Sequence, residues 1–479
     1  MGVNKQIPLC VDCDGTLLAT DLLHEACFLL LKQFPIGLLY LPFWLLKGKA
    51  HLKARLAQHV VFNWSTLPYR PQILELIHQA RKDGRHIVLA TASPIEWANG
   101  IADYLNIFDE VLATEHHINL AGKNKAQALI NKFGDKNYDY VGDSTADIAV
   151  WQRANGAIVI TKNKSLQKAM RLETNLIQLI PLPSTSFLTY VKALRVHQWL
   201  KNALVFAPLL AAHQITNFPV LMQAGFAFIA FSACASSVYV LNDLLDLESD
   251  RQHIRKRNRP FASCKISILY GALLVPLLLA VSLVISIIFL PLNFLMVLGV
   301  YFAMTLAYSI RLKRQVIVDV IMLGGLYTMR IVAGAAATAI TPSFWLLAFS
   351  MFIFLSLAMV KRYSELSISL QQNKVDAAGR GYMVNDLPVL MAIGVSSSMV
   401  SVLVFSLYIN LPETNLIYPN TVWLWAIPPI LLYWNSRVWM KAHRGEVDDD
   451  PIVFAIKDWQ SIIILVTTFF LLLLASQIK

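Results

Sequence analysis

The sequence predicts an α/β domain followed by an all-α, polytopic membrane domain of about nine transmembrane helices. Hydrophobic residues make up 56% of the 479-residue chain, and the mean hydropathy of +0.53 is too high for a soluble protein. The apolar residues mix with polar ones up to about residue 185 and form long segments beyond it. We therefore predict one domain over residues 1–182 and a second over residues 190–479.

Short β-rich runs alternate with helical stretches in the first domain. The predicted strands are Ile7–Val11, His86–Ala90, Tyr138–Val141 and Ala157–Ile160. This alternation is typical of βαβ units around a parallel sheet. The insert at about residues 21–70 is predicted to be a helical cap. Its apolar run, residues 36–46, is too short to span a bilayer, so it either rests on lipid or packs on the sheet.

Nine apolar segments follow the first domain, most of them near the length that a spanning helix needs. They are Trp199–Ala212, Pro219–Leu241, Ile268–Leu290, Leu292–Tyr308, Val316–Ile340, Phe344–Val360, Pro388–Ile409, Val422–Trp434 and Ile462–Ile478. Lys and Arg occur in the loops after the even-numbered segments, including Lys374 and Arg380, and not in the loops after the first, third, fifth and seventh. This asymmetry predicts a multi-pass protein of the inner (cytoplasmic) membrane with a cytoplasmic N-terminal domain and Lys479 on the opposite side.

The net charge of +11 does not indicate a nucleic-acid partner, because basic residues cluster in these alternate membrane loops. The five cysteines show neither paired spacing nor a metal-ligand grouping, which favours a reduced, cytoplasm-facing first domain.

Polar motifs follow the predicted strands of the first domain. Asp12 and Asp14 come directly after the first strand, where α/β folds bind ligands, and Thr91 ends the second. Lys125 lies in the segment Gly-Lys-Asn-Lys at residues 122–125, and Asp143 begins the segment Asp-Ser-Thr-Ala-Asp that ends at residue 147. Four motifs in this order resemble the haloacid dehalogenase-like phosphatases, which implies a Rossmann-like fold with a helical cap.

The resemblance implies a role for each of these residues. Asp12 would be the nucleophile that forms an aspartyl-phosphate, and Asp14 would be the general acid and then the base. Thr91 and Lys125 would neutralise the phosphoryl oxygens. The predicted Mg²⁺ ligands are Asp12, Asp14, Asp143 and Asp147. For Asp147 a helix-capping role is equally open, and a domain that keeps the fold without turnover is the alternative to an active phosphatase.

A second acidic motif ends the second apolar segment. Asn242, Asp243, Asp246 and Asp250 recur at a spacing that places the three aspartates on one face of a helix. Their mutual repulsion indicates a cation, and Mg²⁺ holding a diphosphate is the natural partner. The alternative is a solvated loop that only sets topology. Within about nine spans, this motif resembles the UbiA superfamily of intramembrane prenyltransferases.

Most enzymes of that superfamily carry another acidic motif in the loop after the sixth span, where this chain has the cationic run Lys361 to Leu366. Segments 195–202, 308–313, 361–365 and 450–458 resemble decaprenyl-phosphate phosphoribosyltransferases. These move ribose 5-phosphate from phosphoribosyl diphosphate onto a polyprenyl phosphate. The predicted substrate-binding residues are Lys201, Lys256, Arg259, Arg311, Lys313, Asp319, Arg330, Lys361, Arg362 and Tyr363. Asp319 and Arg330 either serve the substrate or pair with each other.

The sequence thus predicts a Mg²⁺-dependent membrane transferase whose partners are phosphoribosyl diphosphate, a polyprenyl phosphate or other prenyl lipid, and the bilayer. The first domain would dephosphorylate the lipid-linked product. One alternative is a prenyltransferase that joins a prenyl diphosphate to an aromatic or quinone-precursor acceptor. Another is a membrane-anchored binding or regulatory module with both sites inert.

Overall fold

A computed structural model describes residues 7–115, 119–173, 175–371, 381–447 and 451–477. Lys374, Arg380, Asp450 and Lys479, which enter the predictions above, lie outside the described residues. The chain divides into two compact units, one of residues 1–194 with 239–275 and the other of residues 195–238 with 276–479. The acidic motif at residues 242–250 therefore belongs to the same unit as the α/β domain.

The α/β domain is built on a six-stranded parallel sheet with the order β3-β2-β1-β4-β5-β6. The strands are β1 Leu9–Val11, β2 Ile87–Pro94, β3 Glu110–Thr114, β4 Asp139–Gly142, β5 Gly156–Thr161 and β6 Leu176–Pro181. The four predicted strands are confirmed as β1, β2, β4 and β5. The prediction missed β3 and β6, the two edge strands, because their partly exposed residues lack a continuous apolar run.

Helices cover both faces of this sheet. They are α1 Leu22–Gln33, α2 Leu41–Leu46, α3 Lys49–His59, α4 Pro71–Lys82, α5 Ile95–Leu105, α6 Lys123–Phe133, α7 Ile148–Trp151, α8 Lys164–Met170 and α9 Phe187–Ala193. Leu9 and Val11 of β1 pack against α1 to α5 on one face, whereas Cys10 packs with α6 and α7 on the other. Alternate side chains of a strand point to opposite faces, so both sides of β1 are buried. Helices α1 to α3 form the predicted helical cap.

The remaining helices are largely apolar. They are α10 Ala207–Ala211, α11 Phe218–Leu245, α12 Leu247–Gln252, α13 Ile268–Phe289, α14 Leu292–Ile310, α15 Val318–Thr338, α16 Phe344–Gln371, α17 Leu387–Ile409, α18 Pro412–Ile417, α19 Ile427–His443, α20 Pro451–Lys457 and α21 Trp459–Gln477. Within the described part of the chain, seven helices are long and apolar enough to cross a membrane, namely α11, α13, α14, α15, α16, α17 and α21. The chain is therefore an integral membrane protein.

The predicted count of nine spans is not confirmed. The first predicted segment forms a 3-10 helix, Val196–Phe206, followed by the five-residue α10, and the eighth forms a 3-10 helix, Thr421–Ala426, followed by the 17-residue α19. Proline stands at the start of α10 and of α19, and proline suits a helix start rather than its interior. The regular α-helix in both segments is therefore shorter than about 18 residues.

Candidate active sites

Three carboxylates meet at the carboxyl ends of β1 and β4. Asp12 follows β1, and Asp143 and Asp147 follow β4, which pairs with β1 in parallel. Oxygen atoms of these three aspartates lie within 4.8 Å of one another. Carboxylate oxygens are the ligands that Mg²⁺ prefers, so the donor set fits this ion. Asp14 is not part of this group of three.

Burial and mutual repulsion perturb these carboxylates. Burial, together with Asp12 and Asp147, raises the pKa of Asp143 to about 8. Burial also raises the pKa of Asp12, against the opposing effect of the Lys125 ammonium. A divalent cation held by the same oxygens would reverse both shifts, because it stabilises the charged carboxylates. The cluster is therefore built in a way that favours cation binding.

Gly15 makes the close approach of Asp143 feasible. Its φ of +79° lies in the left-handed region, and a Cβ at this position would lie 2.4 Å from Asp143 Oδ2. The Thr16 hydroxyl donates a hydrogen bond to Asp143 Oδ1 at 3.3 Å from the same turn. Both the backbone conformation and the available space therefore require glycine here.

Lys125 reaches the cluster from α6. Its Nζ donates to Asp12 Oδ1 at 2.6 Å and to the Tyr140 hydroxyl at 2.8 Å, and it lies 3.9 Å from Asp147 Oδ1. Burial lowers the pKa of Lys125, but Asp12 and Asp147 outweigh it, so the net shift is upward and the side chain stays cationic. Lys125 is thus placed beside the predicted nucleophile, where a phosphoryl group would arrive. Tyr140, which the sequence analysis did not single out, holds it there.

Asp147 is fully engaged with its own turn. Its Oδ2 accepts from the Ser144 hydroxyl at 3.0 Å and from the Ser144 backbone N–H at 3.1 Å, and its Oδ1 accepts from the Tyr140 hydroxyl at 2.9 Å. Ser144 and Asp147 form a capping box at the turn that precedes α7. These contacts support the helix-capping alternative for Asp147, which also adds negative charge to the cluster.

Asp14 faces a different set of groups. Its Oδ1 accepts from the backbone N–H of Leu22 at the start of α1 at 2.9 Å, and its Oδ2 accepts from the Ser93 hydroxyl at 2.7 Å. Burial, and then Asp21, raises the pKa of Asp14, which suits a general acid. Thr91 is buried, and its hydroxyl oxygen accepts from the Ser93 backbone N–H at 3.0 Å. Ser93 was missed, although it lies two residues after Thr91 in the same motif.

The second acidic motif spans two helices rather than one. Helix α11 ends at Leu245 and α12 begins at Leu247, so the expectation of a single continuous helix is wrong. The break lies at Asp246. Asp243 Oδ1 and Asp250 Oδ2, on either side of it, both accept from Arg259 Nη1, at 3.0 and 2.6 Å. Arg259 therefore supplies part of the positive charge that the sequence analysis assigned to Mg²⁺.

Within the part of the chain that the structure describes, Asn242 offers an unpartnered oxygen atom next to the acidic motif. Its side-chain Oδ1 is buried and has no hydrogen-bond partner among the described residues. An unsatisfied buried polar atom costs about 1–3 kcal/mol, and a cation or a substrate donor would relieve it. Asn242, Asp243 and Asp246 carry the oxygen atoms that Mg²⁺ prefers as ligands, and both Asp243 and Asp250 are engaged by Arg259. Burial raises the pKa of Asp250, and Arg259 opposes this shift.

Asp319 and Arg330 do not pair, so that alternative is wrong. Asp319 accepts from Arg362 and from the Tyr382 hydroxyl, and Arg362 also donates to Glu365 and, at 3.0 Å, to the Tyr308 hydroxyl. Asp319 and Arg330 lie about 16 Å apart along α15, too far for an ion pair. Because all three guanidinium nitrogens of Arg362 have protein partners, these contacts favour a structural role over phosphate binding.

The predicted substrate residue Arg330 lies in a buried polar and aromatic cluster. Its Nε donates to Asn202 Oδ1 at 2.9 Å, and its guanidinium carbon lies within 5.5 Å of the ring centres of Phe231, Tyr301 and Tyr327. Lys201 Nζ lies 5.7 Å from the Tyr327 ring centre, so Tyr327 is shared by both cations. Asn202 and the three aromatic residues had no role in the predicted site.

The remaining predicted substrate residues lie either at helix ends or inside α16. Arg311 and Lys313 lie at and after the end of α14, and Lys256 lies in the turn Lys256–Asn258 after α12. Lys361 is inside α16, which continues to Gln371, so the run at residues 361–366 is helical and not the predicted loop. The Tyr363 hydroxyl forms a hydrogen bond with His443 Nδ1 of α19 at 3.0 Å, which favours a packing role.

Comparison with known proteins agrees with both parts of this architecture. Residues 203–475 match the UbiA prenyltransferase family, and residues 9–151 match the haloacid dehalogenase-like hydrolases. An uncharacterized protein y4nM of Sinorhizobium fredii is 37% identical over 458 residues, which cover 95% of this chain and 88% of that protein.

A decaprenyl-phosphate phosphoribosyltransferase of Mycobacterium tuberculosis is 39% identical over 183 residues, which cover 37% of this chain and 60% of that enzyme. A solved structure of a UbiA homolog from Archaeoglobus fulgidus bound to GPP and Mg²⁺ covers 59% of this chain and 99% of that one, at 15% identity and a TM-score of 0.46. The family match over residues 203–475 extends over more than half of the sequence. The chain therefore belongs to the UbiA prenyltransferase family and carries a haloacid dehalogenase-like domain at residues 9–151.

Proposed function

We propose that the membrane domain transfers 5-phosphoribosyl from phosphoribosyl diphosphate to a polyprenyl phosphate, and that the α/β domain then removes the 5-phosphate. The observation that carries this proposal is the 39% identity to a decaprenyl-phosphate phosphoribosyltransferase. The distribution of charge supports it, because Arg259 accompanies the acidic motif in one unit and the other unit holds the buried cations Lys201 and Arg330. A donor with a 5-phosphate and a diphosphate, and an acceptor with one more phosphate, together carry four phosphate groups and need such an excess of cations.

The transfer breaks the bond between ribose C1 and the diphosphate oxygen. A phosphate oxygen of the polyprenyl phosphate forms the new bond to C1, and the diphosphate departs with the electron pair. Asn242, Asp243 and Asp246 would hold Mg²⁺, which stabilises the charge of the departing diphosphate. Arg259 lies between Asp243 and Asp250 and presents a guanidinium to the same region. Its planar donors suit a phosphate oxygen.

The phosphatase step would use the residues around Asp12. Its carboxylate attacks the phosphorus of the 5-phosphate, and Asp14 gives a proton to the departing ribose oxygen. Lys125, 2.6 Å from Asp12, neutralises the phosphoryl oxygens as they approach. Asp14 then takes a proton from the water that hydrolyses the aspartyl-phosphate. The hydrogen bonds from Ser93 and Leu22 position Asp14 for both transfers.

The full-length protein in nanodiscs tests this proposal with polyprenyl phosphate, labelled phosphoribosyl diphosphate and Mg²⁺. We expect lipid-linked ribose from the wild type, lipid-linked ribose 5-phosphate from Asp12→Asn, and neither product from Asp243→Asn. Asp135→Asn is a matched control, since this aspartate is on the exposed surface of the α/β domain. If wild type and Asp12→Asn accumulate the same phosphorylated lipid, the α/β domain does not act on it. If label enters only from a prenyl diphosphate, the phosphoribosyl donor is wrong.

A further inference from the structure

We propose that the helical cap of the α/β domain binds the surface of an anionic lipid bilayer. The binding surface, called the cap face here, consists of Ile36, Leu39, Phe43, Leu46 and Val61. All five side chains are exposed, from 61% for Ile36 to 85% for Leu46. Exposed apolar side chains in such a group mark an interaction surface on an otherwise well-packed domain.

The cap face belongs to an ordered turn of the helical cap. The 3-10 helix Pro35–Tyr40 and the following α2 form a protruding turn, and no residue of α2 is fully buried. Trp44 of α2 stacks on Tyr40 at 5.9 Å between ring centres and contacts the His59 ring at 5.5 Å, which anchors the turn to α3. Leu41 and Trp44 of α2 also pack against the core of the domain, so the turn is held in place while its other large apolar side chains stay exposed.

Val61 is brought to the same end of the cap by Gln33. The Gln33 Nε2 donates to the Val61 carbonyl at 3.0 Å, and the Val61 N–H donates to Gln33 Oε1 at 3.3 Å. Since Gln33 is the last residue of α1, Val61 lies beside the start of the protruding turn. The apolar side chains of two separate segments thus form one surface.

The charge around the cap face fits anionic headgroups. Between Glu25 and Glu75 the sequence contains no aspartate or glutamate. Lys47 and Lys49 closely follow Leu46, whereas Lys53 and Arg70 donate to the carbonyls of Ala92 and Gly15 inside the domain. Exposed apolar and aromatic residues flanked by lysines are typical of segments that lie in the headgroup boundary, where the negative surface potential attracts the cations.

The position of α1 favours a lipid bilayer over a soluble protein as the partner of the cap face. Lys32 Nζ lies 4.0 Å from Glu248 Oε2, and Arg251 donates two hydrogen bonds to Glu25, at 2.6 and 2.9 Å. Glu248 follows the end of α11, a helix of membrane-spanning length, by three residues. Helix α1 ends one residue after Lys32, and Ile36 is the second residue of the 3-10 helix that follows. The cap face therefore begins close to the level at which a spanning helix leaves the bilayer.

Photocross-linking tests the proposal on the full-length protein. The photoreactive residue p-benzoylphenylalanine replaces Leu46 or, as a matched control, Leu172, which lies on another part of the α/β domain and is 82% exposed. Each variant is irradiated in nanodiscs of phosphatidylcholine with phosphatidylglycerol, and adducts are identified by mass spectrometry. We expect lipid adducts from position 46 and not from position 172, and a loss of the position 46 adduct in a Lys47→Glu, Lys49→Glu background.

Two results would overturn the proposal. Lipid adducts that are no more frequent at position 46 than at position 172 would show that the cap face is in water. A cross-link between two copies of the chain at position 46, in place of the lipid adduct, would show that a second copy covers the face. Because cross-linking needs no turnover, failure here is distinguishable from failure of the proposed phosphoribosyl transfer.

Discussion

The ion pair between Glu25 and Arg251 provides the sharpest test of how the α/β domain and the acidic motif are joined. Arg251 donates two hydrogen bonds to the Glu25 carboxylate, and the two side chains are only 9% and 5% exposed. Glu25 lies in α1, which begins with the residue whose N–H binds Asp14, and Arg251 directly follows Asp250. The pair thus connects both candidate sites through short lengths of helix.

We predict that Glu25→Gln loosens this connection strongly. It leaves a buried guanidinium without its counter-charge, and removing one partner of a buried pair costs about 3–5 kcal/mol. Amide hydrogen exchange that proceeds through local opening should accelerate by roughly a hundredfold to a few thousandfold in α1 and α12. Hydrogen exchange followed by mass spectrometry on the full-length protein in detergent measures this change. We also expect both activities to fall.

Two further variants separate the pair from other effects. Asp135→Asn breaks the exposed contact between Asp135 and Arg153, which should change stability by only about 0–1 kcal/mol. Glu25→Leu combined with Arg251→Met replaces the charges by apolar side chains and should restore most of the protection, because no unpaired charge remains. Exchange in Glu25→Gln that is as slow as in the Asp135→Asn control would refute the reasoning.

Three other predictions concern the individual sites. The pKa of Asp143 is raised to about 8, so below that pH Mg²⁺ must displace a proton from this carboxyl group. The Mg²⁺ affinity measured by calorimetry should therefore rise about tenfold per pH unit from pH 6 to 8. An affinity that does not change with pH would contradict this prediction. Because the pKa of Asp143 is higher in the folded than in the unfolded domain, the free energy of unfolding of the metal-free domain should fall as the pH rises toward 8. Gly15→Ala should abolish phosphatase activity and spare transfer, because the added Cβ would meet the Asp143 carboxylate. Gly48 also has a positive φ but no atom lies close to where its Cβ would be, so Gly48→Ala should spare both activities. Arg330→Met removes the donor of a hydrogen bond to the buried Asn202 Oδ1. We expect reduced transfer in the nanodisc assay and persisting phosphatase activity. Unchanged transfer would exclude Arg330 from the transferase site.

Local pattern in the sequence was sufficient for much of the architecture. The apolar run at residues 7–11 predicted a strand, and the two aspartates that follow the run placed Asp12 at the carboxyl end of that strand. Ligands of a parallel sheet bind at this end of its strands. Long apolar segments likewise identified seven spanning helices, since length and hydropathy are local properties. The same reasoning counted two further spans, whose regular α-helices are short and begin at a proline, and the count of nine is not confirmed. It missed the half-exposed edge strands β3 and β6.

The partners of the charged side chains depended on the tertiary structure. Arg362 is the partner of Asp319, although Arg330 lies much nearer in sequence, because α15 and α16 bring the two residues together. Arg259 bridges Asp243 and Asp250 because the chain turns back after α12 and brings its guanidinium to both carboxylates. The sequence by itself determined the two fold classes and the residues that can bind metal and phosphate. Only the tertiary structure decided which of them meet, because ion pairs form between elements whose separation in space no local periodicity encodes.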